Sequence, residues 1–291
     1  MRHTAGLKME AKHENENRTA KKRIGILCGI LLFLCLWAIS WIPVTEHITL
    51  SLKGAGQTGV RVCLVTDLHS CYYGKDQKWL IDRIDREKPD LVVLGGDIFD
   101  DKLSDKNTKC TLEQLACKYP CYYVTGNHEF WSGRAAEMKD YVRSIGITVL
   151  EGDCSTLEVG GTTLDLCGVD DPDDMTMDAW REQLDRAFAK TEDSHVKILV
   201  SHRPEKVSVY EQYGFDLILT GHAHSGQFRI PFLNIGMAAP DQGFFARYVN
   251  GIYELSNGSL MEVSRGLGRE STPLPRFFNH PEVVILTLQE G

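Results

Sequence analysis

Five short apolar runs that each lead into Asp, Asn or His constrain the fold of this 291-residue chain more than any other feature. The runs are RVCLVTDLH (61–69), DLVVLGGD (90–97), CYYVTGNHE (121–129), KILVSHRP (197–204) and DLILTGHAH (216–224). Helical patterns lie between them, and strands joined by crossover helices form largely parallel sheets. Ligands of such sheets bind beyond the carboxyl ends of the strands. The sequence therefore predicts that all five polar clusters lie at positions where a ligand binds.

The remainder of residues 60–291 predicts an α/β fold with two packed mixed β-sheets flanked by helices, an αββα sandwich. The predicted helices are 75–88, 111–118, 134–145, 176–190 and 205–213. The other predicted strands, whose turn-rich connections are typical of antiparallel or mixed sheets, are 148–150, 156–159, 163–169, 246–255, 260–263 and 283–288.

An N-terminal segment, residues 24–42, contains no ionisable side chain. As a helix it would be about 28 Å long, close to the hydrocarbon thickness of a bilayer. This predicts a transmembrane signal anchor in preference to a cleaved signal peptide or a buried core helix. Lys and Arg number seven in residues 1–23 and two in residues 43–62, which predicts a basic cytoplasmic tail and an extracytoplasmic body. Residues 43–59 are expected to be a juxtamembrane linker or strand.

The net charge of the chain limits the class of partner that it can bind. The formal net charge is -8 although residues 1–23 are basic, so the body is acidic and bulk nucleic acid is disfavoured as a partner.

Seven of the nine cysteines follow the apolar segment, an odd number that is more typical of buried thiols than of a disulfide framework. Cys110, Cys117 and Cys121 lack a fourth ligand at zinc-finger spacing.

The polar clusters together carry enough oxygen and nitrogen donors for two divalent cations. Taken singly, each is ambiguous, because an Asp after a strand is often a helix cap and an Asn after Gly is often a turn residue. Their placement at successive strand ends favours a metal site. The candidate ligands are Asp67, His69, Asp97, Asn127, His202, His222 and His224.

The same segments resemble the motif series of the calcineurin-like metallophosphoesterase superfamily. The matching motifs are DLH (67–69), GDIFD (96–100), GNHE (126–129), SHRP (201–204) and GHAHSGQ (221–227). Two C-terminal segments, VSRGLG and LPRFFNHPEVVILTL, are similar to a membrane-anchored bacterial branch that resembles UDP-2,3-diacylglucosamine hydrolase-like phosphodiesterases. The fourth motif departs from the usual pattern, because Ser rather than Gly precedes its His.

The resemblance implies roles for individual residues. One metal would be held by Asp67, His69 and His224, and the second by Asn127, His202 and His222. Asp97 would bridge both metals, which would be two ions of manganese, iron or zinc. His128 would be a proton donor or an oxyanion stabiliser near the leaving oxygen, and Asp100 would orient His128. Residues 60–291 would then be the catalytic domain of a phosphoesterase in which a metal-bridging hydroxide attacks the substrate.

The substrate is less constrained than the chemistry. A phosphomonoester, phosphodiester or pyrophosphate fits, and the anchor favours a lipid-linked or envelope substrate. A cytoplasmic lipid precursor would instead require the catalytic domain to face the cytoplasm. Arg203 is expected to be solvated, with a phosphate contact as the alternative. Phe244-Phe245 and Phe277-Phe278 form either an apolar lip or core packing.

Two other functions remain as rivals. A catalytically silent metal-binding scaffold on the same fold would be free to lose the active-site residues, yet this sequence retains His128 and every ligand position. A zinc amidase or nuclease on another fold would require an HExxH motif or a basic groove, and the sequence has neither. The oligomeric state is left open.

Overall fold

The computed structural model describes residues 18–35, 41–227, 229–230, 235–236, 238–269 and 276–291. Its helices are α1 (18–35), α2 (Lys78–Glu87), α3 (Lys106–Ala116), α4 (Asn127–Trp131), α5 (Ala135–Ser144), α6 (Met177–Phe188) and α7 (Val207–Tyr210). Single 3-10 turns are formed by Lys75–Gln77, Pro172–Asp174, Pro204–Lys206 and His224–Gly226.

The strands form two six-stranded mixed sheets and two short two-stranded ribbons. They are β1 (Val44–Ser51), β2 (Val60–Val65), β3 (Leu91–Gly95), β4 (Cys121–Val124), β5 (Thr148–Val149), β6 (Asp153–Val159), β7 (Thr162–Gly168), β8 (Val196–Val200), β9 (Leu217–Thr220), β10 (Arg229–Ile230), β11 (Ile235–Gly236), β12 (Ala238–Ala239), β13 (Gly243–Phe244), β14 (Gly251–Glu254), β15 (Leu260–Val263) and β16 (Glu282–Gln289). The strand orders are β1-β16-β2-β3-β4-β5 and β14-β15-β9-β8-β7-β6.

The two large sheets pack face to face, with helices on the outer faces. Val62 and Leu64 of β2 pack in one buried cluster with Leu166 of β7 and Ile198 of β8. The outer face of the first sheet is covered by α2, α3 and α5, and that of the second by α6 and α7. Strands β3 and β9 read as continuous apolar runs because both of their faces are buried, and β2 and β8 are interrupted only by the partly buried Arg61 and Lys197. The predicted layered α/β fold is confirmed.

Differences from the predicted elements are local. Helix α3 begins at Lys106, earlier than predicted, because its buried face includes Thr108 and Thr111 and the apolar period is weak there. Residues 43–59 were predicted to be a linker or a strand. They contain strand β1, which pairs in parallel with β16.

The apolar N-terminal segment is only partly described. Residues 18–35 are helical, whereas residues 1–17 of the predicted tail and residues 36–40 of the predicted span lie outside the described residues. Within the described ranges, no helix is both long enough and apolar enough to cross a bilayer.

Candidate metal centre

The loops that follow five strands converge at one edge of the sandwich. Parallel strands of both sheets end there, so residues far apart in sequence come together. The candidate ligands follow β2 (Asp67, His69), β3 (Asp97), β4 (Asn127), β8 (His202) and β9 (His222, His224). All seven side chains are buried, with relative exposures of 5% or less.

The first group of donors comprises Asp67, His69 and His224. The Nε2 atoms of the two histidines lie 3.4 Å apart. Oδ1 of Asp67 lies 3.4 Å from Nε2 of His224 and 4.0 Å from Nε2 of His69. These three side chains can therefore direct one ligand atom each at a common point.

The second group comprises Asp97, His202 and His222. Oδ2 of Asp97 lies 3.1 Å from Nε2 of His202 and 3.7 Å from Nε2 of His69, so its carboxylate lies between the two groups. Its other oxygen, Oδ1, accepts a 2.8 Å hydrogen bond from the backbone N–H of His128.

The backbone around the donors is strained. Five of the seven candidate ligands have positive φ, namely Asp67 (50°), His69 (47°), Asp97 (51°), His222 (64°) and His224 (45°). Non-glycine residues rarely adopt this region, and such strain concentrates at functional sites. The loops also pack closely, because a Cβ at Gly221 would lie 2.5 Å from Oδ2 of Asp67. The surrounding fold therefore holds these side chains in place.

The donor set fits divalent cations. Imidazole nitrogens with carboxylate and amide oxygens are the ligands that zinc, manganese and iron use in proteins. Oδ1 of Asn127 is buried and lacks a hydrogen-bond partner in the described residues, as expected of a ligand atom. Candidate metal-binding groups found in the described ranges contain no cysteine, so Cys110, Cys117 and Cys121 do not add one.

Charge in the site also favours cations. Burial lowers the pKa of His202, but the carboxylates of Asp97 and Asp67 outweigh it and raise that pKa to about 10. Burial raises the pKa of Asp97, but His202 and His69 hold it well below its ordinary value. The carboxylates thus attract positive charge to this point. Since a ligating imidazole must give up its extra proton, cation binding here would release protons.

His128 lies beside the metal ligands and is paired with an unexpected carboxylate. Its Nδ1 lies 2.7 Å from Oδ1 of Asp101 and 3.7 Å from Oδ2 of Asp100. Asp100 lies closer to His69, with Oδ2 3.3 Å from Nδ1 of that ring. The structure therefore pairs Asp101 with His128, whereas the family resemblance implied Asp100. Both aspartates follow β3 in the same turn, so the residues alone do not show which carboxylate reaches which ring.

Glu129 supports the loops of the site, although it was not among the predicted site residues. It is fully buried, and its two oxygens accept hydrogen bonds of 2.8–3.0 Å from the backbone N–H groups of Asp97, Ile98, Phe99 and Gly126. Burial and the nearby Asp97 raise the pKa of Glu129 to about 7. This carboxylate ties the loop that carries Asp97 to the loop that carries His128. The sequence did contain one signal for this role, which is an acidic residue directly after His128 at a position that becomes buried in the fold.

Arg203 is not solvated, so that prediction was wrong. Its side chain is 4% exposed and donates hydrogen bonds to both oxygens of Asp171, at 2.5 and 2.8 Å. It also donates to Asp241, whose carboxylate lies 2.9 Å from Nε2 of His222. The buried Asp171 makes this position favourable for a guanidinium. Arg203 therefore supports the second donor group from outside.

The paired phenylalanines were predicted to form either an apolar lip or core packing, and the structure shows that they differ in burial. Phe277 is buried, whereas Phe244 and Phe245 are exposed, at 79% and 69%.

Comparison with known proteins agrees with this geometry. The family model of calcineurin-like phosphoesterases matches residues 60–226. An uncharacterized metallophosphoesterase of Helicobacter pylori J99 is 29% identical over 233 residues, covering 79% of this chain and 60% of that protein. This chain therefore spans about 60% of the length of that relative. The uncharacterized metallophosphoesterase YkuE of Bacillus subtilis is 29% identical over 255 residues, covering 85% of this chain and 86% of YkuE.

A third relative has a more specific name. Phosphodiesterase YaeI of Escherichia coli K12 is 30% identical over 206 residues, covering 69% of this chain and 71% of YaeI. The matched family segment spans more than half of the chain and contains every candidate ligand. The chain therefore belongs to the calcineurin-like phosphoesterase family.

Proposed function

We propose that this protein is a phosphoesterase that binds two divalent cations, with phosphodiesters as the substrate class. The observation that carries the proposal is the position of Asp97. Its Oδ2 lies within 3.7 Å of a histidine nitrogen from each donor group, so one carboxylate can serve both ions. Membership of the calcineurin-like phosphoesterase family supports the reaction class, and the name of YaeI supports phosphodiesters.

Asp67, His69 and His224 would hold one ion, and Asn127, His202 and His222 the other, with Asp97 shared. When bound, such ions supply a water nucleophile at neutral pH and stabilise the charge that develops on the phosphoryl group. The seven ligands carry only two carboxylates, so the loaded site keeps a net positive charge and attracts a phosphate.

The remaining step is departure of the leaving oxygen, which requires a proton. His128 is the candidate donor, because its side chain is 16% exposed while the ligands are buried. Asp101 holds the ring through Nδ1, which leaves Nε2 for the substrate. Burial lowers the pKa of His128 despite the nearby Asp97, which makes the imidazolium a stronger acid and also reduces the fraction of His128 that is protonated at neutral pH.

The proposed reaction is tested with the full chain in detergent, stripped with a chelator and reloaded with manganese, iron or zinc. Hydrolysis of p-nitrophenyl phosphate and of bis-p-nitrophenyl phosphate is then compared. We expect metal-dependent turnover, with the diester hydrolysed faster. Metal binding without hydrolysis of either compound would contradict the proposal and favour the metal-binding scaffold.

Replacement of His128 by alanine should slow hydrolysis of an alkyl phosphodiester by about a hundredfold or more, because a poor leaving group needs a proton. Hydrolysis of a nitrophenyl ester should slow much less, since nitrophenolate departs without one. Steady-state rates on the two substrates measure this difference. Equal losses on both would contradict the proton-donor role.

Two neighbouring aspartates provide matched controls for this prediction. Asp101→Asn should reproduce the His128 pattern in weaker form with metal content retained, because it removes the carboxylate that orients the ring. Asp100→Asn should instead weaken metal retention through His69. Metal analysis of both variants separates these effects. If Asp100→Asn instead reproduced the His128 pattern with metal retained, Asp100 would orient His128, as the family resemblance implied.

We also propose that residues 24–42 anchor the protein in a membrane, with the N-terminus cytoplasmic, the body extracytoplasmic and a lipid-linked or envelope substrate. Support comes from the absence of ionisable groups, the basic residues before the segment, and the exposed side chains of Ile24, Leu27 and Phe33 in α1. Release of the full chain from membranes by alkaline carbonate would contradict the anchor.

A further inference from the structure

Trp131 is an exposed indole at the edge of the candidate metal centre. It ends α4, the short helix that begins at the candidate ligand Asn127. Its relative exposure is 57%, and its ring centroid lies 4.7 Å from that of His128. Residues three apart on a helix lie on the same face, which explains this contact.

Three aromatic rings contact one another in succession, from a buried donor to the surface. The ring of His69 is fully buried and contacts the ring of His128 edge-on, with centroids 4.4 Å apart. His128 is partly exposed and contacts Trp131, which is mostly exposed. If His128 donates the proton to the leaving oxygen, the group attached to that oxygen lies beside His128. Trp131 is the exposed ring that contacts His128.

The indole is also fixed in place. Nε1 of Trp131 donates a hydrogen bond to the carboxylate of Asp173. The other oxygen of Asp173 lies 3.4 Å from Nη2 of Arg203, which is itself held by the buried Asp171. A ring held in this way loses little conformational entropy when a ligand covers it. Its edge is occupied by a hydrogen bond, whereas more than half of its surface remains accessible.

We infer that Trp131 determines specificity for the leaving group, by stacking on a planar aromatic group carried by the leaving alcohol. The inference rests on the proposed phosphoesterase function and on the position of His128. Aromatic stacking tolerates different ring systems, so the class is phosphoesters whose leaving alcohol carries an aromatic ring, rather than one compound. An alkyl group would gain little from this contact.

The test uses two phosphonates that carry the same charged group. A phosphoesterase does not hydrolyse their phosphorus–carbon bond. Phenylphosphonate has an aromatic ring, whereas methylphosphonate does not. Calorimetric Kd values are measured on the metal-loaded full chain for the wild type, Trp131→Ala and Trp131→Phe. Trp79→Ala is the matched control, because Trp79 is equally exposed, at 59%, but lies on α2.

We expect Trp131→Ala to weaken phenylphosphonate binding by about tenfold and to change methylphosphonate binding by less than about twofold. Trp131→Phe should retain most of the phenylphosphonate affinity, and Trp79→Ala should match the wild type. Equal weakening of both ligands, or no change in either, would overturn the inference while leaving the proposed function intact. A wild-type protein that binds neither phosphonate and hydrolyses neither nitrophenyl ester would overturn both.

Discussion

Replacing Asp97 with asparagine should lower metal-dependent hydrolysis by about a thousandfold or more and reduce the metal content of the protein from two ions to one or fewer per chain. The substitution removes one negative charge from a point that lies between both donor groups. Two cations close together repel each other, and this carboxylate is the group that offsets their repulsion. Turnover and metal analysis on the same preparations check both effects.

A suitable control is Asp140→Asn, because the side chain of Asp140 is 81% exposed and lies away from the donor groups, on α5. It should match the wild type in both measurements. The hydrogen bond from His128 N–H to Oδ1 of Asp97 can be kept by an asparagine oxygen, so the loop need not rearrange. Full metal content together with full activity in the Asp97 variant would show that Asp97 is not shared between two ions.

Glu129→Gln should destabilise the protein by about 3 kcal/mol or more, because it leaves buried backbone N–H groups without an acceptor. The carboxylate accepts four backbone hydrogen bonds through two oxygens. Glutamine has one acceptor oxygen, and its amide group would place N–H donors against backbone N–H donors. Urea unfolding followed by far-UV circular dichroism measures the change in the free energy of unfolding.

The matched control for this prediction is Glu137→Gln, because the side chain of Glu137 is 67% exposed and lies 3.9 Å from Arg134. Its unfolding free energy should stay within about 0.5 kcal/mol of the wild-type value. If Glu129→Gln behaved like the control, the carboxylate would not be what holds the two loops together. Loss of metal binding with unchanged stability would assign Glu129 to the site alone.

The layered sheets can be predicted well from the sequence because the burial of a strand determines its pattern of apolar residues. Strands buried on both faces, such as β3 and β9, are continuous apolar runs. The candidate ligands could be found for a related reason, since the loops after parallel strands meet at one edge of a sheet. Local sequence thus specifies which residues reach the site.

The pairing of strands that are distant in sequence and the direction of side chains are harder to predict from the sequence. The parallel pairing of β1 with β16 joins segments more than 200 residues apart, and no local pattern specifies that partner. The choice between Asp100 and Asp101 as the partner of His128 depends on the turn after β3, where Asp97 has positive φ. Arg203 was predicted to be solvated because the sequence does not show that Asp171 is buried beside it.

The most direct test of a shared, two-ion site is the dependence of phosphodiester hydrolysis on the number of metal equivalents added to the stripped full chain. The arrangement of the donors around Asp97 predicts little turnover with one equivalent and a steep rise that ends at two. Full activity at one equivalent, or activity that persists in the presence of a chelator, would contradict it.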